Sequence, residues 1–224
     1  MQENILVETE NFRRARAMIE HLENRPKSEM VGLGLIYGPP GLGKSKFAKS
    51  FAEQNEWLYL RLEATMGTRV FLLQLMEQVS LLVPGLVFSC NIYSCNEILR
   101  WCLQYIEAYG LNIMIDEIDY AFHKQLLLGT IRDIADKSKS IVVLVGMTNA
   151  KQELAKQDAH YFDRCNGFVQ FKPLTFPDST KYLQAVSNID LPPETIRKLH
   201  QISHGNVRRL VKYLVLEEAN HMHK

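Results

Sequence analysis

Along this 224-residue chain, stretches with apolar residues at helical spacing alternate with short runs that are apolar at almost every position. Phe12, Ala15, Ile19 and Leu22 fall on one face of a first helix that Thr9 can cap, and Arg25-Pro26-Lys27-Ser28 breaks it. Leu33-Gly34-Leu35-Ile36-Tyr37 predicts a buried strand, 46–52 a helix, and Glu56-Trp57-Leu58-Tyr59-Leu60-Arg61 a second strand. Residues 68–82 are again apolar at helical spacing and stop near Pro84-Gly85. Ser94-Cys95-Asn96-Glu97 has the capping-box form that opens a helix to about Tyr109. Leu111-Asn112-Ile113-Met114-Ile115 predicts a strand ending in Asp116-Glu117, followed by a long amphipathic helix over 120–138. Residues 140–146 and 166–171 predict two more strands. Strands apolar on both faces, alternating with helices, predict an α/β fold: a parallel sheet with helices on both faces.

The pattern changes at Leu174-Thr175-Phe176-Pro177, after which three helices are expected, at 179–187, 193–202 and 206–221, with no strand. The expected division is 1–175 for the α/β domain and 176–224 for a small helical one, with a frayed tail at His221-Met222-His223-Lys224.

Composition narrows the possibilities modestly. A hydrophobic content of 46% and 23% charged residues suit a globular domain. No apolar run reaches a membrane span, and Met1-Gln2-Glu3-Asn4 does not begin a secretory signal, so a cytoplasmic location is expected. Cys90, Cys95, Cys102 and Cys165 form no CxxC pair and read as free packing thiols. The net charge of +1 announces no nucleic-acid partner, so any such contact needs a local basic patch.

The chemistry lies in Gly38-Pro39-Pro40-Gly41-Leu42-Gly43-Lys44-Ser45, which matches GxxxxGK[ST] between a predicted strand and a predicted helix. The glycines let backbone N–H groups turn toward phosphate oxygens, and the helix start adds partial positive charge there. Lys44 is placed to reach the β- and γ-phosphates and Ser45 to ligate Mg²⁺, with Lys46 next to them. The motif predicts a nucleoside triphosphate site for ATP with Mg²⁺. Asp116 and Glu117, about seventy residues on, are the expected metal-holding and water-activating acids, or else a cap for the following helix. Asn149, past the next strand, reads as a sensor of the γ-phosphate or as the cap of the helix it precedes. His200 and His204 have i, i+4 spacing without a third ligand, and no GxSxG elbow is present.

In order, the phosphate loop, the Asp-Glu strand end, the polar strand tip, Tyr161-Phe162-Asp163-Arg164-Cys165 and Gly205-Asn206-Val207-Arg208 resemble the AAA+ ATPase superfamily. Within it, Glu63-Ala64-Thr65-Met66-Gly67-Thr68 and Ile131-Arg132-Asp133-Ile134-Ala135-Asp136 look like the transposition ATPases, phage Mu B protein and its TnsC and IstB relatives. The resemblance implies a P-loop NTPase sheet with a helical lid. It implies Arg164 as an arginine finger acting on a neighbouring subunit, and Arg208, with Arg209 its competitor, as a lid sensor of nucleotide. Asn11, Phe12 and Arg13 would border the adenine pocket. Partners implied are further copies head to tail in a ring or filament, duplex DNA gripped by its phosphates, and a transposase. Only about thirty residues precede the first strand, so DNA would be held by the assembly's inner surface, with Arg69, Lys124 and Lys151 the candidates or else ordinary solvated charges. The alternatives are a helicase loader or initiator, and a nucleotide-gated adaptor acting on proteins without DNA.

Overall fold

The computed structural model of the protein describes residues 5–86, 93–157 and 162–222. Cys90, Tyr161 and the end of the expected tail lie outside them. In chain order the elements are α1 (Glu10–Glu23), β1 (Gly32–Tyr37), α2 (Lys44–Gln54), β2 (Leu58–Arg61), α3 (Thr68–Leu82), α4 (Cys95–Tyr109), β3 (Ile113–Asp116), α5 (Gln125–Lys137), β4 (Ile141–Gly146), α6 (Ala150–Gln157), β5 (Cys165–Gln170), α7 (Phe176–Val186), α8 (Pro193–Ser203) and α9 (Val207–Met222).

The five strands form one sheet in the order β2-β3-β4-β1-β5. Every pairing is parallel, with Tyr37 level with Gly146 on one side and with Gln170 on the other. A parallel sheet ends all its strands at the same edge, so the loops after β1, β3 and β4 open side by side. β1, β3 and β4 are buried on both faces, which is why they read as unbroken apolar runs. One face packs under α3, α4 and α5 through residues such as Phe71, Ile98 and Ile131; the other packs under α1 and α2 through Ile19, Phe47 and Phe51. A third core, around Leu183, Leu199, Leu210 and Leu214, belongs to α7–α9 and also takes in Val7 from the N-terminal segment.

Most predicted elements form within a residue or two of the expected bounds, and α4 opens on the Ser94–Glu97 capping box. Two differ. Instead of one helix over 120–138, Glu117 takes a left-handed backbone (φ 58°), a 3-10 turn follows at Ile118–Ala121, and α5 starts at Gln125. The turn lets the Asp119 carboxylate accept from Met147 N at 2.8 Å, binding the exit of β3 to that of β4. Thr9 occupies the cap position of α1 but makes no side-chain cap bond. Asp178, at the start of α7, accepts from Glu10 N at 3.1 Å instead. Asn11 adds a two-way amide bond, donating to Lys172 O at 2.7 Å and accepting from Lys172 N at 3.0 Å.

At the opposite edge of the sheet a buried guanidinium ties α1 to β4. Arg25 donates to the carbonyls of Leu22, Met30, Lys139 and Ser140 at 2.6 to 3.2 Å. Burial lowers its pKa, but carbonyls on every side keep the charge solvated. Arg25→Met leaves those carbonyls unpaired and should cost about 2–4 kcal/mol in urea unfolding. A loss under about 0.5 kcal/mol, the size of an ordinary surface change, would show that the clamp holds nothing.

Candidate nucleotide site

β1 ends at Tyr37 and hands the chain to the glycine-rich loop. Gly41 and Gly43 sit at φ 80° and 89°, in the left-handed region, so the loop can curl and start α2 at Lys44. Lys44 is buried, and its Nζ donates to Gly38 O at 2.7 Å and Pro39 O at 2.9 Å. Burial lowers its pKa, while Asp116, Glu117 and Asp119 pull the other way and favour the cation.

A cleft of about 610 Å³ opens over this loop. Pro40, Gly41, Gly43, Lys44, Ser45 and Lys46 line it with Asp116, Glu117, Met147, Tyr182 and Arg208, so residues from five separate stretches of chain meet there. Asp116 is 1% exposed. Its Oδ1 accepts from Glu117 N at 2.9 Å and its Oδ2 from the Tyr59 hydroxyl at 3.0 Å. Burial, then the adjacent carboxylate, raises the Tyr59 pKa well above its ordinary value. Glu117 Oε1 lies 3.3 Å from Arg61 NH2. Asp119, its pKa raised by burial, does not line the cleft but lies close enough to Lys44 to favour the ammonium. Ser45 and Asp116 offer hydroxyl and carboxylate oxygen, the hard donors that Mg²⁺ takes when phosphates supply the rest.

Tyr59, Arg61 and Asp119 are the site residues that sequence reasoning missed. Their only signal was position: Tyr59 and Arg61 alternate along one face of β2, which pairs with β3 so that Arg61 is level with Asp116.

The other predicted residues distribute differently. Arg208 lines the cleft, its N–H donates to Gly41 O at 3.0 Å, and Asn206 donates to Pro40 O at 2.9 Å. A side chain at Gly41 would strike Asn206, 2.7 Å away, so this contact needs glycine there. Asn149 is exposed and does not line the cleft; its carbonyl accepts from Glu153 N at 2.9 Å, the helix-cap alternative. Arg164 precedes β5 at the opposite end of the sheet, where it pairs with Asp136 at 3.0 Å. A strand of that length puts it roughly 16 Å from its own phosphate loop.

Phe12, Leu42 and Lys46 line a second, narrow apolar cavity with Leu174, Tyr182 and Val207, and Gly43, Lys46, Tyr182 and Val207 also border the cleft. Thr9 lines it too, with Oγ1 buried and without a hydrogen-bond partner among the described residues. Lys46 donates to Ile5 O at 2.7 Å, while Arg13 turns outward to Glu10 at 2.7 Å. Of the basic candidates, Arg69 donates to Tyr93 O at 2.6 Å, and Lys124 to Ala64 O and Met66 O at 2.6 and 2.8 Å, both beside the loop after β2. Lys151 stands apart, 4.5 Å over the Phe168 ring.

A model of the AAA domain matches residues 29–154, and the chain belongs to that family, whose domains in general hydrolyse nucleotide. No curated protein matches the chain. Among solved structures it is similar to Aeropyrum pernix ORC2 in its ADPNP and ADP complexes, at 16% identity and TM-score 0.69 over 100% of this chain and 67% of that one. A. pernix ORC1 in complex with DNA follows at 17% and 0.64, over 99% and 62%. Domain III of the Thermotoga maritima replication initiation protein DnaA matches at 17% and 0.58, over 97% and 88%. The α/β fold is that of P-loop AAA+ proteins. No helix among the described residues is long and apolar enough to cross a membrane.

Asn206 both grips the phosphate loop and accepts from Arg209 N at 3.2 Å. Asn206→Ala should cost about 1 kcal/mol, as lost helix caps do. It should also speed amide exchange in residues 40–43 as well as 207–210. Exchange confined to 207–210 would mean the loop does not depend on the helix.

Proposed function

We propose that the protein is an ATP-driven switch that assembles on DNA. The observation that carries this is the convergence of phosphate loop, acid pair and Arg208 on one cleft. Lys44 would bind the phosphates, Ser45 and Asp116 the Mg²⁺, and Glu117 would orient the attacking water. The base would lie at the mouth of the narrow cavity, which must widen from its present volume of about 20 Å³ to admit it, with the Thr9 hydroxyl, without a partner among the described residues, within reach. Arg164, remote from its own site, would complete that of a neighbouring copy, giving a head-to-tail ring or filament. On this reading Asn149, in the turn after β4, would be the sensor of the γ-phosphate. Duplex DNA would be held by its phosphates through the Arg69 and Lys124 region, with Lys151 a more distant candidate.

The resemblance of residues 63–68 and 131–136 supports a transposase as the partner, with a target-directing role. A second reading, a replication initiator or helicase loader, is supported by structural likeness along almost the whole chain to the ORC and DnaA structures. The division into a nucleotide-binding part (1–175) and a helical lid (176–224) serves either, as does a cytoplasmic setting.

ATP turnover by the purified protein, with and without duplex DNA, tests the proposal. Turnover should rise on DNA, and Arg164→Ala should abolish it while sparing nucleotide binding. Glu117→Gln should lower turnover about a hundredfold or more with ATP affinity retained, and Lys44→Ala should lose the affinity. Turnover indifferent to DNA would sink the DNA-bound switch, and unchanged turnover in Glu117→Gln would sink the catalytic assignment. Thr9→Val should weaken ATP binding about tenfold, the worth of one hydrogen bond made in a buried site. Affinity unchanged in that variant would place the base elsewhere.

A further inference from the structure

Among the described residues Tyr59 stands out because it touches the acid assigned to the metal without lining the cleft itself. Tyr59 is level with Met114 on β3, two residues short of Asp116, so its ring must run along the sheet to bring the hydroxyl to Asp116 Oδ2. The ring packs beside the apolar cluster under α2, the helix that carries Ser45. Asp116, 1% exposed, therefore has one protein donor on each oxygen, a main-chain N–H on Oδ1 and this phenol on Oδ2. Two donors on opposite oxygens fix the plane of a carboxylate, and each oxygen keeps a lone pair for another partner. The nearby Arg61–Glu117 pair is different in kind, since Arg61 is 63% exposed and water competes for it.

We propose that Tyr59 is a positioning residue for the metal. Its hydroxyl fixes the Asp116 carboxylate so that Asp116 and Ser45 can hold one Mg²⁺ between them. The inference rests on the nucleotide–Mg²⁺ reading above and adds a residue to it. Partners of this kind, which orient a ligand without touching the metal, are commonly worth tenfold or more in metal affinity.

The test uses the full chain and Mn²⁺ as the probe. Protein is kept in excess over a non-hydrolysable ATP analogue, and bound Mn²⁺ is read from the loss of the free-ion EPR signal. Tyr59→Phe keeps the ring and removes the hydroxyl. It should weaken Mn²⁺ binding about tenfold while affinity for the analogue in EDTA stays unchanged. In an Asp116→Asn background the same change should add nothing further, because the carboxylate that the hydroxyl orients is no longer there to hold the ion. Equal Mn²⁺ affinity in Tyr59→Phe and the parent, or the same tenfold loss in the Asp116→Asn background, would overturn the role. Loss of analogue binding in EDTA would also overturn it, marking the hydroxyl as structural. If the parent protein itself fails to bind the analogue, it is the nucleotide reading that falls, a result distinct from the others.

Discussion

A parallel sheet in which β1 is an inner strand, between β4 and β5, is the constraint on which the site depends. Parallel strands finish at a common edge, so the glycine loop after β1, the acids after β3 and the turn after β4 emerge as neighbours without any local sequence bringing them together. Close packing on both faces holds that edge in register, because a one-residue slip would exchange side chains between two differently shaped cores. Fixed register is what allows Asp119, leaving β3, to meet Met147 N–H as it leaves β4.

Among the described residues, polar contacts tie α7–α9 to the rest of the chain at the starts of α9 and α7, and Leu174 N donates to Gly205 O at 2.9 Å. The start of α9 bonds to the carbonyls of Pro40 and Gly41 in the phosphate loop. The start of α7 supplies Asp178 to the first N–H of α1, and Lys181 donates to Glu8 O at 2.8 Å. The N-terminal segment is thus held between the sheet and α7–α9, with Val7 in the core of those helices. A shift of α7–α9 would alter loop and N-terminal segment together. Asp178 capping α1 also explains why the Thr9 hydroxyl is left to the apolar cavity.

Charge is distributed to match. Three carboxylates sit near one buried lysine, and the attraction offsets part of what burial costs the ammonium. At the far edge the Arg25 guanidinium has carbonyls rather than carboxylates for partners, which suits a structural clamp. Arg164 and Asp136 pair at that far edge too, on a partly exposed surface where such a pair adds little stability.

The residue pattern by itself determined the order and type of the elements, the phosphate loop and the acid pair, because these depend on periodicity and on residues close together in the chain. Residues 68–82 read as a helix since every third or fourth position is apolar, and Ser94 and Glu97 carry their own capping geometry. The 3-10 turn after Glu117 was not legible, since it follows from a bond to a strand about thirty residues further on. Nor were the roles of Tyr59 and Arg61, which arise only when β2 takes the place beside β3. Thr9 looked like a cap, but the Asp178 carboxylate from far along the chain takes that bond. Local patterning sets which elements form; which polar groups pair, and which are left over for a ligand, is decided when distant elements compete for the same donors and acceptors.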